Sequence, residues 1–267
     1  MFVYVKDQVW MRELPDQGSR VVNEALYGDQ VIVVEECNGW SHIKLNQDGY
    51  EGWVKSDAIV RRQSQYLQAT VSVDRLRACI YSCQDTEYGP IGEIPFGTRF
   101  QIESDALSRW IKVSLLDSSL AWIQKGDVTN NHHPLPKGDL VDFAKRFLEV
   151  PFKWGGRSSF GFDSSGFVQF LYREMGFNIP RDPKDQKSSE LFQAVPLDAL
   201  KVGDLIFNGM DAEKVSDVAM YIGNNQCIAA TERENQSWVR ITDLEKWTQA
   251  DQFPAARRLT AWMPAPK

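Results

Sequence analysis

The sequence is short of the residues that most often move protons: three histidines, His42, His132 and His133, all lie in its first half. Cysteine is also scarce, at four: Cys37, Cys79, Cys83 and Cys227. Cys79 and Cys83 are spaced like half of a metal site, but no second Cys or His pair completes it. No metal and no other cofactor is therefore expected, and the thiols read as scattered buried side chains of a cytoplasmic protein. No apolar run approaches the roughly 18 residues that a membrane span needs. The opening MFVYVKDQVW lacks the basic-then-apolar pattern of a secretory leader. The net charge is −6 and no basic block occurs. Nucleic acid and anionic membrane surfaces are thus excluded as main partners.

What is present is an ordinary globular composition, 43% hydrophobic and 25% charged, with nine Trp in 267 residues. That length accommodates two or three domains. The first 130 residues carry a degenerate repeat. Gly28-Asp29, then Trp40 to Leu45, then Gly52-Trp53-Val54 are echoed by Gly97-Thr98, Trp110 to Val113 and Ala121-Trp122-Ile123. Short alternating runs such as Val31 to Val34 and Phe100 to Ile102, set between Gly, Asn and Asp turns, predict small β-barrels. The two copies, residues 1–62 and 63–130, resemble bacterial SH3 domains.

Asn130 to Gly138 reads as a linker, and the pattern changes after it. Asp139 is placed to cap a helix whose stripe is Leu140, Phe143, Ala144, Phe147 and Leu148, stopped by Pro151. A second helix is predicted from Ser164, with Phe167, Val168, Leu171 and Met175 on one face and Gly176 as its stop. Strand-like runs follow at Asp204–Phe207, Val218–Ile222, Cys227–Ala230, Val239–Ile241 and Leu259–Met263. Helices first and an antiparallel sheet afterwards predict an α+β domain over residues 138–267.

The most informative stretch runs from Pro151-Phe152-Lys153-Trp154-Gly155-Gly156-Arg157 to Gly161-Phe162-Asp163-Ser164-Ser165-Gly166-Phe167. With Ile179-Pro180-Arg181-Asp182, Gly203 to Phe207 and Asp217 to Gly223, it resembles the signature of the NlpC family of papain-like cell-wall peptidases. The whole plan is similar to the dipeptidyl-peptidase VI type. The resemblance implies cleavage of the γ-D-glutamyl–diamino acid bond in murein peptides with a free N-terminal L-Ala.

In that family a helix N-terminus acidifies a Cys thiol, a His stabilises the thiolate, and a third polar group orients the imidazole. Carried over, the nucleophile position holds Ser164, the base position Asp217 and the orienting position Ala229. A hydroxyl is far harder to ionise than a thiol, and a carboxylate titrating near about 4 is a poor base for it. Loss of such groups costs on the order of 10⁴–10⁶ in turnover, so a pseudoenzyme is expected. Cys227 lies on the same strand face as Ala229, about 7 Å along, and is expected in the core.

The resemblance also implies retained ligand contacts. Asp182 would take the free amine of L-Ala, and Tyr50 would wall the peptide site. Asp163 and Ser165 flank the old nucleophile, while Phe152 and Trp154 line it with aromatic surface. Each has a structural reading beside this one. Asp163 can cap the helix, Asp182 can be a turn residue, and Tyr50 can pack in its barrel. Three functions are thus open: a binder of a murein peptide, a hydrolase that uses Ser164, and an SH3-mediated scaffold for a protein partner.

Overall fold

The computed structural model describes residues 1–66, 70–105, 108–130, 133–209, 214–233, 236–249 and 254–262. His132 lies outside them. The chain divides into two compact units. Unit 1 comprises Met1–His133 together with Ser158–Phe160, and unit 2 comprises Pro134–Arg157 and Gly161–Lys267.

Unit 1 begins with seven strands: β1 (Phe2–Val5), β2 (Val9–Arg12), β3 (Val21–Ala25), β4 (Gln30–Cys37), β5 (Trp40–Leu45), β6 (Glu51–Lys55) and β7 (Ile59–Arg62). Seven more follow: β8 (Thr70–Val73), β9 (Arg77–Tyr81), β10 (Gly92–Pro95), β11 (Arg99–Asp105), β12 (Trp110–Ser114), β13 (Leu120–Gln124) and β14 (Val128–Thr129). The first sheet is ordered β3-β2-β6-β5-β4-β1-β7 and the second β10-β9-β13-β12-β11-β8-β14. Adding seven to each label of the first order gives the second, so the repeat read from the sequence is a repeat of topology.

Its details also recur. Gly28 and Gly97 both adopt positive φ, which a side chain rarely tolerates. Their amides donate to Val5 O and Val73 O, each at 2.9 Å. Alternation along the strands buries one face, as in Ile43, Leu45 and Val54 of the first sheet and Ile111, Val113 and Ile123 of the second.

The two sheets are joined within this unit by a phenol network. Tyr4, Tyr66 and Leu116 form one buried cluster. Tyr66 donates to Ser114 O at 2.5 Å, and Leu116 N donates to Tyr27 Oη at 2.8 Å. Burial pushes both the Tyr27 and the Tyr66 phenols up. The tripeptide Ser158–Phe160, which the sequence reading placed wholly in the third domain, belongs to this unit instead. Ser159 Oγ accepts from Phe96 N at 2.9 Å and donates to Leu76 O, and Arg77 lies over the Phe160 ring.

Unit 2 begins at Pro134, and Leu135 N already donates to Glu174 O at 2.8 Å. Its elements are α1 (Leu140–Lys145), β15 (Arg157–Ser158, of which Ser158 falls in unit 1), β16 (Gly161–Phe162), α2 (Ser164–Glu174), α3 (Pro183–Ser188) and β17 (Phe192–Val195). Then come β18 (Leu205–Gly209), β19 (Val215–Gly223), β20 (Gln226–Arg233), β21 (Gln236–Asp243), α4 (Leu244–Gln249) and β22 (Ala255–Leu259). The main sheet is antiparallel in the order β17-β22-β18-β19-β20-β21.

Helix α1 stops at Lys145, short of the predicted stripe, and the chain continues in turns to Val150. The last strand also differs from expectation. It ends at Leu259, a 3₁₀ turn follows at Thr260–Trp262, and Met263 lies outside the described residues. Arg257 and Arg258 hid this strand, since two charges in a row do not read as an apolar run. Arg258 is nevertheless buried, forked onto the fully buried Asp204 at 2.8 and 2.6 Å.

Candidate functional site

The site is built around the first turn of α2. Asp163 is its N-cap: Oδ1 accepts from Gly166 N at 2.7 Å, which satisfies an amide that the helix leaves over. Oδ2 accepts from Gly155 N at 2.9 Å and from Arg181 Nη2 at 2.6 Å. Arg181 is buried and sends its other guanidinium nitrogen to Ser165 Oγ at 2.7 Å. Gln186 Nε2 holds the backbone of the same turn through Ser165 O at 3.1 Å.

Glycine is required on both sides of this contact. A Cβ on Gly166 would overlap Gly156 O, and a Cβ on Gly156 would overlap Gly161 O. The Gly-rich loop therefore packs backbone to backbone against the helix start. Ser164 sits at the first helical position and is 4% exposed. Its hydroxyl stands at the positive end of the helix dipole, next to a carboxylate already neutralised by a guanidinium.

Helix α2 lies against β19 and β20, the strands that carry the other two positions of interest. Asp217 is half-buried in β19, with Asn208 as its register partner in β18. Ala229 is buried in β20 and belongs to an apolar cluster with Ile206, Ala219, Cys227 and Trp247. Cys227 is a free thiol, fully buried in that cluster, and its Sγ is 3.7 Å from Thr242 O. Residues 134–267 contain no histidine. His42 stacks on Trp53 in the first barrel at 5.0 Å between ring centres.

The remaining sequence-derived positions fall in different settings. Asp182 is half-buried at the start of α3, where its carbonyl accepts from Gln186 N and its side chain makes no cap bond. Phe152 is half-buried and its amide donates to Ser237 O at 2.8 Å. Trp154 is 57% exposed, beside Phe152 in sequence. Tyr50 belongs to unit 1, where its ring packs on the barrel core and its hydroxyl donates to Val22 O at 3.1 Å. Asp163 and Ser165, expected as ligand contacts, are both engaged in the internal Arg181 network.

Arg181 is the residue that sequence reasoning passed over. The Pro-Arg-Asp motif drew attention to Asp182, whereas the buried charge partner of Asp163 is the arginine before it. A signal existed: a carboxylate placed to cap a buried helix needs a cation, and Arg181 is the cation of the Pro-Arg-Asp motif.

Comparison with known proteins agrees with this architecture. The NlpC/P60 family matches residues 149–257, and the bacterial dipeptidyl-peptidase Sh3 domain matches residues 11–59. A γ-D-glutamyl-L-lysine dipeptidyl-peptidase of Bacillus cereus is 30% identical over 94% of this chain and 78% of its own length. Dipeptidyl-peptidase 6 of Lysinibacillus sphaericus is 24% identical over 86% of this chain and 87% of its own. The crystal structure of an NlpC/P60 family protein from Bacillus cereus superimposes with a TM-score of 0.83. It is 25% identical and covers 97% of this chain and 99% of the other. With SH3-like sheets preceding a papain-like α+β unit, this chain belongs to the NlpC/P60 family.

Proposed function

We propose that this chain is a non-catalytic member of its family that binds a small cell-wall peptide. One observation carries the reading. The unit that holds Ser164 contains no imidazole, and the sheet positions for the base and for the group that orients it hold Asp217 and the buried Ala229. A serine hydroxyl without a matched base is a poor nucleophile at neutral pH. A single Cys-to-Ser change would leave a base behind; here all three roles have changed together.

The ligand follows from what is kept. Asp182 remains half-buried at the start of α3, and Phe152 and Trp154 keep aromatic surface near the helix start. A carboxylate that takes an amine, in a unit that also keeps exposed aromatic surface, suits a short peptide with a free N-terminus. The Bacillus cereus relative is named a γ-D-glutamyl-L-lysine dipeptidyl-peptidase, which makes L-Ala-γ-D-Glu-L-Lys the first ligand to try.

Calorimetric titration with this peptide, followed by mass spectrometry of the same mixture, tests the reading. Saturable binding of intact peptide that is lost in Asp182→Ala is the expected result. Cleavage that disappears in Ser164→Ala would show instead a working serine nucleophile.

A further inference from the structure

Helix α2 begins with donors that its own chain leaves over. Ser164 occupies the first position of this 11-residue helix. The first intrahelical bond is made by Phe167 N, to Asp163 O at 2.9 Å, and the cap side chain takes Gly166 N at 2.7 Å. The amides of Ser164 and Ser165 precede both, so neither bond uses them. The Ser164 side chain adds a third donor. It is 4% exposed, and its hydroxyl makes no hydrogen bond among the described residues. A side chain so deeply buried is rarely left without a partner, and this one stands at the positive end of a helix, where anions are favoured.

The charges of the turn do not cancel that preference. Asp163 is its carboxylate, and Arg181 Nη2 at 2.6 Å and Gly155 N at 2.9 Å hold the acid from the far side. The Asp163–Arg181 pair is neutral as a unit, which leaves the helix end uncompensated. Residue 164 itself decides what the turn receives. A cysteine there ionises readily, supplies its own anion to the helix end and repels a second one. A serine hydroxyl stays neutral at all ordinary pH values and donates a hydrogen bond. The change to serine therefore converts a turn that holds its own anion into one that accepts an anion from a ligand.

We propose that the first turn of α2 is a carboxylate receptor, formed by Ser164 Oγ and the amides of Ser164 and Ser165, and that its ligand is a peptide that ends there in a free carboxylate. The inference rests on the proposed peptide-binding role and names the ligand class within it. Hydrolysis of a γ-D-glutamyl–L-lysine amide leaves a γ-carboxylate on the glutamyl residue. The class thus contains the dipeptide L-Ala-D-Glu, which is a cleavage product and not a substrate. An uncleaved amide offers the three donors one neutral oxygen, whereas a carboxylate offers two oxygens and a full charge.

Calorimetry on the full chain compares L-Ala-D-Glu with L-Ala-D-Gln, in which only the γ-carboxylate is replaced by a carboxamide. The acid is expected to bind at least about tenfold tighter. Ser164→Ala removes one of three donors and should lower the preference a few-fold. Ser164→Asp puts a negative charge where the ligand's is received and should abolish it. Ser164→Cys gives a readout that altered packing would not: the preference should fall between about pH 6 and pH 9, as the thiol ionises. Equal affinity of the wild type for both dipeptides, or a preference that survives Ser164→Asp, overturns the receptor. Binding of L-Ala-γ-D-Glu-L-Lys without binding of either dipeptide overturns it too, and leaves the peptide-binding reading standing. If none of the three peptides binds, that reading fails, and the receptor is judged by thermal unfolding in sodium acetate against sodium chloride at equal ionic strength. A saturable rise in Tm with acetate that is absent in Ser164→Asp supports the receptor. No rise, or the same rise in the variant, overturns it.

Discussion

Replacing Arg181 by alanine should cost unit 2 far more than a surface charge would. Its guanidinium makes two bonds, to Asp163 at 2.6 Å and to Ser165 at 2.7 Å, and the side chain is 2% exposed against 14% for Asp163. Removing one partner of a buried pair leaves the other charge uncompensated, at a cost of about 3–5 kcal/mol. Asp163 would keep its two amide donors, Gly155 N and Gly166 N, which places the expected loss toward the lower end of that range. With a urea m-value of about 2 kcal/mol/M, the midpoint for unit 2 should fall by about 1.5 M. Unit 1 should keep its midpoint, so it serves as an internal reference in the same unfolding curve. Arg181→Lys should recover only part of the loss, because one ammonium is a compact point charge and lacks the fork that joins two acceptors. A double-mutant cycle with Asp163→Asn isolates the coupling. A loss below about 1 kcal/mol in Arg181→Ala, the range of exposed pairs, would falsify the view that this guanidinium holds the helix start.

Gly166→Ala should destabilise unit 2 by about 1–3 kcal/mol, because the new methyl meets the Gly156 carbonyl and neither backbone can yield; chemical denaturation measures it. Asp204→Ala strands the buried Arg258 and should cost about 3–5 kcal/mol, with partial recovery in the Asp204→Ala/Arg258→Leu double variant. Alkaline pH should weaken the fold. Burial raises the Tyr27, Tyr66 and Tyr172 phenols, so the folded chain holds protons that the unfolded chain releases near pH 10. The stability contributed by these phenols is complete below about pH 10 and falls above it by about 1.4 kcal/mol per pH unit for each one. Unit 1, with two of the three, should unfold first in an alkaline titration followed by phenolate absorbance. Tyr66→Phe should make that dependence shallower, and an unchanged slope would count against the assignment.

Much of the fold was legible because it is written in local patterns. The SH3-like repeat shows in paired glycines and Trp-ended strands, since a turn with positive φ and an alternating half-buried strand both constrain residue type directly. The start of α2 was equally readable: Asp163 as a cap and Gly176 as a stop are local demands of any helix. The candidate positions Ser164, Asp217 and Ala229 were likewise read from motif order alone.

Charge pairing and side-chain partnership across the sheet were not legible. Whether Asp163 is a ligand contact or a structural cap depends on Arg181, eighteen residues away, and only packing brings the two together. The strand with Arg257 and Arg258 hides its buried face because its neutralising partner, Asp204, is remote in sequence. The assignment of Ser158–Phe160 to unit 1 likewise rests on contacts with residues more than sixty positions away. A sequence states what each residue prefers within a turn or two of backbone. Which buried polar group meets which partner is decided by long-range register and packing.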